Sequence, residues 1–362
     1  MSVRPDGTSP PAYRRRREPT APFSWNGVMT MTLKMASAPH LRLTERSAAL
    51  SLDVLIALVP LCVFSFVHYG VRPVLLVLTG IVTAVVCELL CCAFMRRKPS
   101  VLDGTAAVTG GLVGAMMSPL SPYWLPVIAA AFAILVVKMP FGGAGRNVFN
   151  PAAAGLAVVT VCFPGRVFLY PYAGQLQPLP LGDISGVLTA QSPNMLLNSG
   201  GGTNLNWLNV LQGGFPGPIG ATAVAVLLAC LLYLFARHTA SPLIALPYLL
   251  TCALIAALFP RAAVSAGTSV MLEMSAGVLL FSGVFLVTDP VTAPRHWLAR
   301  ILYGALAAVF VMVLRHFGRF ECVAYFGILL ANALSPVLDR FCWGAAYRVR
   351  ERWQIRRGGG RI

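Results

Sequence analysis

The chain has 362 residues, of which 57% are hydrophobic and 11% charged. Soluble domains carry about 25% charged residues, so this composition excludes an ordinary soluble enzyme, and it is too apolar for a disordered chain. The 28 Lys and Arg against 12 Asp and Glu give a net charge of +16. A chain this apolar has no extended basic face for nucleic acid, and the positive charge belongs in the loops of a polytopic membrane protein.

In chain order, residues 1–46 form a polar arm that contains Arg14, Arg15, Arg16 and Arg17. Ten apolar segments follow, near 48–68, 73–95, 103–119, 122–138, 149–163, 217–236, 241–258, 263–287, 295–315 and 320–341. A spanning helix needs about 20 apolar residues. The third and fifth segments are short and open at polar breaks, which predicts discontinuous helices buried among their neighbours. A polar stretch at 164–216, rich in Gly, Pro, Ser and Asn, separates two groups of five, and 342–362 is a basic tail. The expected organisation is therefore an arm (1–46), a first five-helix unit (47–163), a long loop (164–216), a second unit (217–341) and a tail (342–362).

Placing both termini in the cytoplasm puts 23 Lys and Arg inside and five outside (Arg72, Arg166, Arg261, Arg315 and Arg319). That asymmetry sets the orientation by the positive-inside rule and turns the 164–216 loop outward. Trp124, Leu125 and Ile128 match Trp297, Leu298 and Ile301 at a single offset of 173. With an odd number of spans per unit, the two units run in opposite directions. Inverted repeats with broken helices place a site near the midplane, between the units. The expected fold is an all-α polytopic membrane protein of about ten transmembrane helices, in two inverted five-helix repeats.

The strongest local motif is FGGAGRNVFNPA at 141–152. Asn150 is a good N-cap and Pro151 suits the first helical position. Arg146 and Asn147 lie beside this helix start, whose free N–H groups attract anions. The turn suits a phosphate or isoalloxazine contact, and equally a tight re-entry into the membrane. Asp289, in VTDPVTAP at 287–294, can pair with Arg295 or cap the next helix, and Asp103 opens the third segment. Glu88 and Glu273 fall deep within apolar runs, where carboxylates are costly and usually line an ion pathway. Cys87, Cys91 and Cys92 read as small apolar helix residues rather than as metal ligands. No Walker loop, nucleophile elbow or zinc-binding helix motif is present.

These motifs resemble one membrane family. FGGAGRNVFNPA, TDPVT at 288–292, Leu330-Ala331-Asn332 with Pro336, and Ser37 to His40 ahead of Asp53 are similar to the D subunit of the Rnf ion-translocating electron transport complex. The B subunit of the sodium-translocating NADH:quinone reductase belongs to the same family. The likeness runs from about residue 36 to 342, with Val148 where the family usually has Pro.

The resemblance implies a multi-pass subunit of the inner (cytoplasmic) membrane. Its partners would be the other membrane and peripheral subunits of a complex that moves electrons between ferredoxin and NAD while translocating sodium or protons. It also implies FMN joined through its phosphate to an outward-facing Thr. The family's Asp, five residues, Thr pattern falls on Asp183 and Thr189, with Leu188 before the acceptor and Ser192 as a second candidate hydroxyl. A noncovalent riboflavin or second flavin is a further expectation, and the hard redox chemistry would be the cofactor's. On the residues alone, a stand-alone secondary transporter with midplane carboxylates stays open. So does a scaffold subunit whose flavin site has decayed.

Overall fold

The computed structural model describes residues 47–96, 103–172, 186–198, 206–261, 265–275, 278–318 and 323–358. It is almost wholly helical. Two long apolar helices come first, α1 (Ser47–Tyr69) and α2 (Val71–Phe94). The short helix α3 (Thr105–Ala115) follows, then α4 (Trp124–Phe132), which widens into a π-helical turn at Ala133–Lys138, and α5 (Pro151–Cys162).

The polar connection carries α6 (Pro164–Val167), two short strands, β1 (Tyr170–Pro171) and β2 (Thr189–Ala190), and helices α7 (Pro193–Asn198) and α8 (Trp207–Leu211). The second half holds α9 (Val224–Ala236), α10 (Pro242–Leu258), α11 (Ala266–Ser275), α12 (Leu279–Phe281) with a π-helical turn at Ser282–Leu286, α13 (Trp297–Phe317) and α14 (Ala324–Gly358).

Among the described residues, α1, α2 and α13 are each long and apolar enough to cross a membrane, and a fourth candidate span is α11 with 279–286, bent by 68°. The helices at 105–115, 124–138, 151–162, 224–236 and 242–258 are apolar but shorter. Leu52, Val59, Val63, Val67, Val82, Leu90 and Leu250 point outward. An apolar exterior over an apolar core is the pattern of an integral membrane protein.

Close helix packing rests on small residues, as lipid-embedded helices require. A Cβ on Gly80 of α2 would collide with the backbone of Gly110 in α3, and one on Gly114 would meet the backbone of Val77. Gly155 of α5 lies against Ala129 of α4, and Gly304 of α13 against Ile244 of α10. The halves are stitched by polar contacts across the breaks. Ser65 Oγ donates to Ile219 O (2.9 Å), and Asn150 Nδ2 donates to Leu286 O (3.0 Å).

Several expectations change. The last helix outruns its apolar stretch, since α14 continues to Gly358 through the basic residues that follow 341. The segment from 217 becomes helical only at Val224, after a turn whose Gly220 N–H bonds Ala115 O (2.6 Å). Three cations counted as loop charges, Arg72, Lys138 and Arg315, are buried inside the protein. Arg72 donates to Pro119 O and Ser121 O. Their removal from the count leaves the sign of the charge asymmetry unchanged. The arm at 1–46 and Asp183 lie outside the described residues.

Candidate functional site: a buried cavity and an exposed hydroxyl

Asn150 caps α5 as its sequence predicts, accepting from Ala153 N–H at 3.1 Å, with Pro151 in the first turn. The glycines before it make the turn possible. Gly142, Gly143 and Gly145 all have positive φ (114°, 89° and 80°), a region that other residues rarely adopt. The turn delivers Asn147 and Asn150 to one wall of a cavity of about 260 Å³. The Thr288–Asp289–Pro290 turn and Ser51 of α1 supply other parts of its wall, as do Thr105 and Thr109 of α3, with apolar surface from Val54, Leu112 and Phe285. Its volume is just below the range of about 300–1,000 Å³ usual for small-molecule sites, and mostly apolar walls with a few convergent polar groups are typical of them. Asn147 Oδ1 is buried and has no hydrogen-bond partner among the described residues. A buried orphan acceptor is costly and calls for a donor from a ligand or a water.

Arg146, predicted beside the same site, is exposed and does not line the cavity; its side chain packs over Gly142 instead. Asp103 does line the cavity, but it does not cap α3, where Gly104 holds the cap position. Asp289 neither pairs with Arg295 nor caps α13. It accepts from Val291 N–H and Thr292 Oγ (3.2 Å each), while His296 caps α13 and Asp339 takes the Arg295 N–H. Burial pushes the Asp289 carboxyl up from its ordinary value, and those two hydrogen bonds pull it the other way.

Glu88 is fully buried and ion-paired with Lys138, Nζ to Oε2 at 2.8 Å. Lys138 Nζ also donates to Thr105 Oγ1 at 2.7 Å. The sequence gives no sign of this pair, because Lys138 sits at the end of an apolar run and reads as a loop cation.

Glu273 has a different environment. Arg261 grips it through two bonds, Nε to Oε1 at 2.5 Å and Nη2 to Oε2 at 2.8 Å, and Arg315 Nε reaches Oε2 at 2.9 Å. Both guanidiniums also reach Asn194 Oδ1 of α7 (2.7 and 3.1 Å), and Arg261 bonds Asn198. Burial, and then the adjacent Arg315, lower the Arg261 guanidinium from its ordinary value, with Glu273 opposing. A carboxylate held by two cations is a structural anchor rather than a ready ion-binding group, and this one ties α7 to the ends of α10 and α13. Thr189 lies just before α7, exposed, in the strand that pairs with Tyr170–Pro171. Leu188 is 66% exposed and projects away from the protein. Ser192 is buried, and its Oγ accepts from Met195 N–H at 3.2 Å.

No group of three or more His, Cys, Asp or Glu side chains is gathered for a metal among the described residues. The NQR2, RnfD, RnfE family profile matches residues 34–348. The chain belongs to this family.

The D subunit of the Na(+)-translocating ferredoxin:NAD(+) oxidoreductase complex of Acetobacterium woodii is 29% identical over 322 residues, covering 88% of this chain and 96% of the relative. The D subunit of the proton-translocating ferredoxin:NAD(+) oxidoreductase complex of Clostridium ljungdahlii is 28% identical over 310 residues, covering 85% and 93%. The D subunit of the ion-translocating oxidoreductase complex of Shewanella amazonensis is 30% identical over 350 residues, covering 88% and 98%.

Proposed function

We propose that this chain is the flavin-carrying membrane subunit of a multisubunit complex that couples electron transfer between ferredoxin and NAD to the movement of sodium ions or protons. The observation that carries the reading is the cavity behind the FGGAGRNVFNPA turn. It joins apolar walls to an orphaned acceptor, Asn147 Oδ1, that suits the ring N–H of an isoalloxazine. We assign a noncovalent flavin to this cavity and a second, covalent FMN to Thr189.

The residues present fit both groups. Thr189 offers an exposed secondary hydroxyl on a short paired strand, where a modifying enzyme has access. Ser192 is the poorer acceptor, because it is buried and bonded to the start of α7. A bound flavin supplies one- and two-electron chemistry, and the chain binds it, orients it and sets its surroundings. Asn150 fixes the turn against the second half through Leu286 O, Asn147 offers its free acceptor, and Val54, Leu112 and Phe285 exclude water from the ring site.

We read the fold as two five-helix repeats of opposite orientation, with both termini in the cytoplasm of the inner membrane. Two starts support one offset of 173 residues: Trp124 and Trp297 open α4 and α13, and Pro151 and Ala324 open α5 and α14. The cavity lies between the halves, where such folds place their sites.

The test is flavin analysis of the complex purified with its modifying enzyme present. The wild-type chain should fluoresce in a denaturing gel, and Thr189→Val should not. Thr109→Phe, which fills the cavity, should remove a full equivalent of flavin released on denaturation while leaving the gel fluorescence intact. A colourless wild-type chain would favour a transporter or scaffold instead.

A further inference from the structure

The polar connection between the halves holds an apolar patch that the flavin reading does not use. Residues 206–212 read Asn-Trp-Leu-Asn-Val-Leu-Gln and carry no charge. Trp207 to Leu211 form α8. A helix turns by about 100° per residue, so Trp207, Leu208 and Leu211 share one face. That face points outward. Trp207 is 61% exposed, Leu208 69% and Leu211 40%, while Val210 on the other side is buried. A contiguous apolar face of this kind marks a contact surface.

The next residues fix the depth of this helix. Gly213, with φ of 70°, turns so close to α1 that a Cβ on it would meet Phe64 Cζ at 2.6 Å. Ile219 O then accepts from Ser65 Oγ (2.9 Å), and Ile219 N–H bonds Met117 O (3.0 Å). Phe64 and Ser65 lie about 6–8 Å along the axis from the end of α1 at Tyr69. The connection therefore enters the apolar body just past α8, and α8 stands where the chain crosses its edge. Val67, the i+3 neighbour of Phe64 on α1, is 68% exposed and belongs to the outward apolar side of that helix. The patch on α8 lies beside a surface that already faces lipid.

We propose that α8 is an interfacial anchor, lying in the outer leaflet with Trp207, Leu208 and Leu211 among the lipid chains. Tryptophan suits this depth, because its ring is apolar and its indole N–H finds acceptors among the headgroups. Asn206, Asn209 and Gln212 supply neutral polar groups, and no Lys or Arg lies within 206–212. Surface helices that need anionic lipid carry basic residues. This one has none, so neutral lipid should hold it as well as anionic lipid does, and salt should not release it. The connection around Thr189 is then held at two places, by the guanidiniums that bond Asn194 of α7 and by lipid at α8. The choice of leaflet rests on the reading that turns the connection outward; contact with lipid does not.

The test uses the intact complex in its native membrane, with a photo-crosslinking residue placed in turn by Leu208→benzoylphenylalanine, Leu250→benzoylphenylalanine and Gln191→benzoylphenylalanine. Leu250 points outward from α10 and Gln191 is exposed beside Thr189, so they serve as the lipid and water references. Mass spectrometry of the irradiated chain should find lipid adducts at Leu208 as at Leu250, and none at Gln191. Adducts to a partner subunit in place of lipid would overturn the proposal and make α8 a protein interface. So would the absence of any adduct at Leu208. In a second measurement, a nonspecific protease is added to vesicles of phosphatidylcholine alone, and of phosphatidylcholine with phosphatidylglycerol, at low and high salt. Cleavage within 206–212 should be equally slow in all four. In the double variant Trp207→Asn/Leu208→Asn it should be at least about tenfold faster, the effect of losing one large side chain from an apolar site. Protection that needs phosphatidylglycerol or vanishes in salt would overturn the neutral-lipid assignment. Cleavage of the double variant should require protease on the outer side. Cleavage from the cytoplasmic side alone would overturn the orientation, and the outer-leaflet assignment with it, while lipid adducts at Leu208 would still uphold the anchor.

Discussion

Asn194 Oδ1, on a surface helix of the polar connection, is bonded by Arg261 at 2.7 Å and by Arg315 at 3.1 Å, and both of these cations also hold Glu273. Among the described residues two guanidiniums face this one carboxylate, and the amide oxygens of α7 accept further bonds from them. The segment after Thr189 is thereby fastened to the membrane-embedded second half.

Breaking this cluster from one side should be costly. Arg315→Leu removes one of two cations from a buried carboxylate. Glu273 keeps the two bonds from Arg261, so the expected destabilisation is about 1–3 kcal/mol, the cost of leaving buried acceptors short of one donor. Thermal unfolding of the purified chain in detergent would show it. Because α7 loses an anchor, protease cleavage within 186–198 should also become faster than in wild type. Unchanged cleavage would mean that the cluster does not hold the segment after Thr189.

Asn194→Asp replaces an amide oxygen with a carboxylate facing two guanidiniums. A negative charge within reach of both Arg261 and Arg315 is favourable, so this variant should unfold no earlier than wild type. Asn194→Leu should unfold earlier. Identical melting of the two would remove the electrostatic account of the cluster.

Asn150→Ala loses the α5 cap and the bond to Leu286 O across the halves. The cap alone is worth about 1 kcal/mol. Loss of the inter-half bond should also loosen the cavity wall, so noncovalent flavin content should fall together with melting temperature. A stability loss with full flavin content would confine Asn150 to capping.

Arg146→Ala should be nearly silent. The side chain is exposed and outside the cavity, so stability should change by no more than about 0.5 kcal/mol. Flavin content per chain should match wild type. A marked loss of bound partner subunits would instead identify Arg146 as a contact in the assembly.

Gly80→Val tests the packing of α2 on α3. The new Cβ would overlap the Gly110 backbone, which cannot rotate aside as a side chain does. The penalty should exceed the roughly 1–3 kcal/mol of ordinary overpacking. The expected outcome is little or no chain accumulating in the membrane. Gly165→Ala, where a Cβ meets open space, is the matched control.

The sequence by itself determined the class of the protein and the pieces of its site. Composition placed it in a membrane, because no other solvent accepts so apolar a chain. Short runs bounded by polar residues marked α3 and α5, and local chemistry marked the α5 cap, since Asn150 and Pro151 act within one helical turn. Only the tertiary structure decided what the charged residues do. Lys138 and Glu88 are 50 positions apart in the chain, and nothing local to either reveals the other. Arg315 and Arg261 read as loop cations by position, yet both turn inward onto Glu273. Asp289 looked like a cap for α13, but His296 and Asp339 occupy that helix start. The physical reason is common to all of them. A cap or a turn is set by neighbours within a few residues, whereas the partner of a charge buried in an apolar medium is whichever opposite charge the helix packing brings within reach.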